Sequence, residues 1–106
     1  MKEVGKDTFG SEVVQSDRPV VVDFWGPQCG PCLALMPEVA ALGDKYADKV
    51  KITKVEAPKN RRLCLALKVL ALPTFLFYKE GKEYGRVSGN NVSIQMIEDS
   101  IQKMLS

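Results

Sequence analysis

The residues most able to do chemistry in this chain are two cysteines separated by a glycine and a proline, Cys29-Gly30-Pro31-Cys32. They follow a run of β-branched and aromatic residues and open a stretch of helical periodicity. A C-x-x-C in that position reads as a redox dithiol. The spacing brings two thiols within bonding reach across one helical turn, so the pair can exist as a disulfide or as a dithiol. Cys29 falls near a helix N-cap, where unpaired backbone N–H groups and the helix dipole favour a thiolate and lower the thiol below its free value of about 8.5. Pro31 suits the first turn, where a missing N–H costs nothing. Cys32, one turn in, is less exposed and keeps the higher pKa. The two sulfurs are therefore unequal, one suited to attack and the other to resolution.

What the chain lacks narrows the chemistry further. It has no histidine, which excludes Cys–His and Ser–His catalysis within the chain and removes the commonest metal ligand. Three cysteines without histidine cannot close a Cys₄, Cys₃His or Cys₂His₂ zinc site, so no metal is expected. An odd cysteine count fits poorly with a disulfide-stapled secreted scaffold and points to a reducing compartment. With 106 residues, residues 1–106 read as a single domain that needs no staple to close a core. The net charge of +2, with no Lys/Arg run longer than Arg61-Arg62, argues against nucleic acid. No apolar stretch approaches the ~18–20 residues of a membrane span. The polar start at Met1-Lys2-Glu3 reads as lacking a secretory signal, which makes a cytoplasmic location the expectation.

The elements that must hold the pair alternate in type. Thr8 to Gln15 carries Phe9, Val13 and Val14 at helical spacing. Val20 to Trp25 is a continuous apolar run interrupted only by Asp23, the pattern of a strand buried on both faces. Pro31 to Tyr46 reads as a helix, with a kink expected at Pro37. Lys51 to Val55 alternates as a strand, and Asn60 to Lys68 reads as a helix. Thr74–Tyr78 and Glu83–Ser88 form a hairpin around Glu80-Gly81-Lys82, and Val92 to Leu105 is an amphipathic terminal helix. The order α-β-α-β-α-β-β-α implies a parallel pair with a right-handed crossover and a late antiparallel hairpin.

Val22-Asp23-Phe24-Trp25 ahead of Cys29-Gly30-Pro31-Cys32, followed by Leu72-Pro73-Thr74 and Gly89, resembles the thioredoxin family in motif order and spacing over nearly the whole chain. The resemblance implies an α/β thioredoxin fold, a central mixed sheet of about four to five strands flanked by four helices. It also implies protein-disulfide reductase activity, with Cys29 as nucleophile, Cys32 as resolving thiol and Gly30 and Pro31 completing the motif. Asp23 in a buried strand must be protonated or hydrogen-bonded unless it sits solvated at the strand end. The family's buried aspartate implies a proton acceptor for Cys32 through water. Lys54 matches the lysine that neighbours this aspartate in the family and is expected to modulate it; the alternative is a plain solvated lysine. The resemblance further implies a cis Leu72-Pro73 bond facing the dithiol, with the Leu72 backbone free to pair with a substrate strand. Trp25 then flanks the pair as an apolar platform, and Gly89 allows close approach of substrate backbone.

The chain departs from the family at Gln28 in place of a tryptophan, at Leu33 in place of a basic residue, and at Leu70 where a polar or charged residue is usual. Leu33, Leu70 and Ala71 give the docking side an apolar character that suits a dedicated partner; the alternative is ordinary surface drift. Cys64 stands beside Arg61 and Arg62, which would activate it if exposed, but the Leu63–Leu67 neighbourhood favours burial. The expected cofactor is none beyond the Cys29–Cys32 disulfide itself. The expected partners are disulfide-containing target proteins and a thioredoxin reductase, NADPH- or ferredoxin-dependent or dedicated, acting on a monomer. The competing readings are a disulfide oxidase or isomerase, and a scaffold or binding module.

Overall fold

The computed structural model describes all 106 residues. Five strands form one mixed sheet: β1 (Lys2–Glu3), β2 (Val20–Trp25), β3 (Lys51–Glu56), β4 (Thr74–Lys79) and β5 (Lys82–Ser88), in the spatial order β1-β3-β2-β4-β5. Three α-helices, α1 (Gly30–Lys45), α2 (Arg61–Ala66) and α3 (Ile94–Leu105), pack against it with a π-helical turn at Gly10–Val14 and a 3₁₀ turn at Ala57–Lys59. No helix is long and apolar enough to cross a membrane.

β2 is the centre of the architecture because its sequence can be nowhere else. It runs parallel to β3, with Asp23 in register with Lys54, and antiparallel to β4, with Asp23 opposite Phe75. Alternation along the strand sends Val20, Val22 and Phe24 into one core with Phe9, Val13, Cys64 and Leu76. Val21 goes to the other core with Val39, Leu42, Phe75, Phe77, Ile97, Ile101 and Met104. Helices therefore cover both faces, as a strand with no polar side demands.

α1 starts where Cys29 takes an extended backbone, and its Lys45 end is tied to α3. Glu98 accepts hydrogen bonds from Lys45 Nζ at 2.6 Å and from the Tyr46 hydroxyl at 2.7 Å. The helix passes through Pro37 and continues to Lys45. α3 starts at Ile94 because the Ser93 hydroxyl accepts from the Met96 N–H at 3.2 Å, a side-chain N-cap. Its buried Ile97, Ile101 and Met104 fall on one face.

Three elements differ from the sequence reading. The stretch Thr8–Gln15 is wound with a π-type bond from Gln15 N–H to Gly10 C=O, so its regular part is only Gly10–Val14. α2 is shorter than Asn60–Lys68, because Lys68 has φ +58 and ends it, and Arg86 donates to the Leu67 and Lys68 carbonyls at 2.9 and 3.0 Å. β1 precedes all other elements and is absent from the expected order. It is two exposed residues joined to β3 at Thr53 and Lys54.

Candidate active site

The geometry of the pair follows from the start of α1. Cys29 is its N-cap, and Pro31 sits in its first turn. The two sulfurs form a disulfide, with Cα atoms 5.3 Å apart. The Cys29 Sγ accepts the Cys32 backbone N–H at 3.2 Å, so a helix-terminus donor already points at this sulfur. Cys29 is half-buried, whereas Cys32 is almost wholly enclosed. That inequality matches the expected one.

Asp23 is 1% exposed, so the solvated-end alternative is excluded. By strand alternation it faces the same layer as Val21 and α1. Neither carboxylate oxygen has a hydrogen-bond partner within the protein. Burial pushes its pKa up to about 7, partly offset by the positive charge of Lys54 and reinforced by the negative charge of Glu3. A group that gains and loses a proton near neutral pH therefore lies buried behind the dithiol helix.

Lys54 is not salt-bridged to Asp23. Its ammonium lies 5.5 Å from the centre of the Trp25 ring, and its ion-pair partner is Glu3 at 3.9 Å. Lys54 therefore acts on Asp23 through its charge and not through an ion pair. Register places the two side by side, but Lys54 is half-exposed and turns its charge towards ring and solvent instead of the buried carboxyl. Trp25 is half-buried, and its indole N–H is enclosed without a partner.

The Leu72–Pro73 bond is cis. The Leu72 N–H and C=O make no intramolecular hydrogen bond, while the neighbouring Ala71 C=O accepts from the Thr74 hydroxyl. An unpaired backbone of this kind can extend a sheet onto a bound segment. The Gly89 N–H donates to the Pro73 C=O at 2.9 Å, which fixes the two loops together. Gly89 has φ +101, and a Cβ placed there would meet nothing within 4 Å. The structure thus brings Pro73 and Gly89 together, as the motif order suggests.

Three contributors escaped the sequence reading. Glu3 acts on both Lys54 and Asp23 from β1, a strand too short and polar to announce itself. Gly26 sits where a Cβ would come within 3.3 Å of Leu72 Cδ1 and 3.5 Å of the Pro58 ring, so the loop before Cys29 packs directly on the cis-proline segment. Pro58 itself, in the 3₁₀ turn after β3, could have been flagged as a breaker next to the site.

The thioredoxin family model matches residues 1–103. The thioredoxin of Acetoanaerobium sticklandii is 38% identical over 105 residues, covering 99% of this chain and all of that protein. The thioredoxin of Peptoclostridium acidaminophilum is 38% identical over 101 residues, covering 95% of this chain and 92% of that protein. The chloroplastic thioredoxin X of Arabidopsis thaliana is 41% identical over 83 residues, covering 78% of this chain and 46% of that protein.

Proposed function

The chain belongs to the thioredoxin family and is a thiol–disulfide oxidoreductase that reduces protein disulfides, and from that premise we propose a division of labour among its residues. Cys29 attacks one sulfur of a substrate disulfide, releases the other as a thiol and forms a mixed disulfide. Cys32 then attacks Cys29, so the substrate leaves with two electrons and the chain is left as its Cys29–Cys32 disulfide. The observation that carries this assignment is the asymmetry of the pair. Cys29 is the accessible sulfur and the one that receives a helix-terminus N–H. A thiolate is favoured there and disfavoured at enclosed Cys32.

Asp23 takes the proton from Cys32 as the second step begins. Its position behind α1 and its titration near neutral pH support that role. Lys54 modulates Asp23 by charge. Trp25, the Leu72 backbone, Pro73 and Gly89 form the edge on which substrate lies. Gly30 and Pro31 hold the turn between the sulfurs. Residues 1–106 act as one domain and as a monomer. A thioredoxin reductase, NADPH- or ferredoxin-dependent, resupplies the electrons. A cytoplasmic or equally reducing setting, in which the chain serves as electron carrier and in redox homeostasis, agrees with the free thiol of Cys64.

The test is turnover of insulin disulfides with dithiothreitol as electron donor. Cys29→Ser is expected to abolish catalysis, and Cys32→Ser to accumulate a covalent substrate adduct at Cys29. Full activity in Cys29→Ser, or adduct formation at Cys32, overturns the assignment. A strongly oxidising reduction potential would move the chain to the oxidase reading.

A further inference from the structure

An apolar hollow of about 460 Å³ opens beside the cis-proline segment, walled by Pro58, Leu65, Val69, Leu70, Ala71 and Leu72. It is not a cavity under a loop. Leu70 is 83% exposed and Leu65 67%, so two large side chains stand in water at its rim. Exposed leucines this close together mark a contact surface. The hollow is continuous with the redox site, because Leu72 belongs to its wall and also packs on Gly26, three residues before Cys29.

Its far end is positively charged. Arg61 lines the hollow and also a second depression of about 220 Å³, which Lys6, Lys59 and Arg62 share with it. The Arg61 Nε donates to the Pro58 C=O at 3.4 Å, which lays the guanidinium along the wall. The corner is organised by Asn60, whose Oδ1 accepts the Lys6 N–H and whose amide donates to Glu56 C=O. Lys59 has a partner in Glu56 at 3.6 Å, but Lys6, Arg61 and Arg62 are in no salt bridge. No acidic side chain lines either depression.

We propose that this groove selects the chain's substrates: it docks a disulfide-bearing protein segment that places an apolar side chain against Leu65 and Leu70 and acidic residues against Lys6, Arg61 and Arg62. The proposal rests on the reductase reading and adds the class of substrate to it. Charge complementarity chooses the occupant. A second copy of this chain docked through the same face would bring two cationic rims together, and like charges across an interface are costly. An acidic segment instead gains from steering as well as from contact, since unpaired cations at a rim raise association rates.

The test uses the fully reduced chain in single-turnover oxidation, followed by Trp25 fluorescence. The probes are two synthetic peptides with the same apolar core and the same internal disulfide, one flanked by glutamates and one by lysines. Bis(2-hydroxyethyl) disulfide, neutral and too small to span the groove, normalises each protein's rates. The glutamate-flanked peptide is expected to react about tenfold faster at low ionic strength, and the two to converge in high salt. The double variant Arg61→Glu, Arg62→Glu is expected to reverse the order. Leu65→Ser with Leu70→Ser is expected to slow both peptides. Equal peptide rates, or a glutamate preference that survives the reversal, overturn the proposal. So does sedimentation of the native chain as a dimer that Leu70→Ser dissociates, since a second copy would then own the face. A reduced chain inert even to the small disulfide overturns the reductase reading itself, and the groove's role with it.

Discussion

Asp23 and Lys54 are register partners on adjacent parallel strands, yet no salt bridge joins them. The ammonium rests over the Trp25 ring and reaches Glu3, while the carboxyl stays buried without a partner. The charge at the heart of the site is therefore governed by burial first and by two distant residues second.

Burial of Asp23 makes stability depend on pH. The carboxyl binds its proton more tightly folded, at about 7, than at its ordinary 3.8. Between those values the folded state holds more protons than the unfolded state, so stability falls as pH rises through that window and is level above it. A displacement of this size corresponds to roughly 4 kcal/mol. Urea unfolding of the oxidised chain should show that decline, and Asp23→Asn should remove it and be the more stable protein at pH 8. Parallel pH profiles for the two proteins would contradict a carboxyl whose pKa is raised by burial.

The two neighbours of that carboxyl act in opposite directions. Lys54→Met removes the charge that lowers its pKa and should move its titration to higher pH. Glu3→Gln removes the charge that raises it and should move it lower. Carbon NMR of the Asp23 carboxyl in the oxidised chain reads both directly. A shift of the same sign in both variants would rule out control by charge.

Gly89 carries a backbone that side chains rarely adopt, with open space where a Cβ would stand. Gly89→Ala should therefore cost about 1 kcal/mol of stability. The added methyl projects into the space that substrate backbone would use. KM for a protein disulfide should rise with kcat little changed, and reaction with a small disulfide should be unaffected. An unchanged KM for the protein substrate would remove Gly89 from the docking edge.

Cys64 is buried in the core that contains Phe9, Val13 and Leu76, and burial pushes its thiol up. In the native reduced chain iodoacetamide should modify Cys29 and spare Cys64, which should become reactive only in denaturant. Mass spectrometry of the digested protein decides it. Native labelling at Cys64 would mean that its sulfur is reached from the hollow it lines beside Leu65 and Val69.

Much of this site was legible because its signals are strong and local. The six-residue run Val20–Trp25 gives its strand without error, since only a doubly covered position tolerates it. Cys29 at a helix start followed from Pro31 and the periodicity behind it. Asp23 was visible as the one charge in an apolar run. What failed to show was set by tertiary contact. β1 is two polar residues with no pattern of their own, and it forms because β3 has a free edge beside it. α2 stops early because Lys68 takes φ +58, and Arg86, from β5, donates to the Leu67 and Lys68 carbonyls just past its end. The position of Lys54 over Trp25 depends on competition between an aromatic ring, Glu3 and Asp23, which no spacing records.

The division of β2 between two cores has a consequence for how the chain assembles. Residues 20, 22 and 24 fill one layer and residue 21 the other. A slip of this strand by a single position would exchange the two sets and drive the Asp23 carboxyl in among Phe9 and Val13. An aligned strand keeps that carboxyl on the side of α1 and the dithiol; a misaligned one carries it to the opposite layer, away from them. The register of the central strand thus decides which layer receives the one charge in the run, and with it whether the dithiol has an acid behind it.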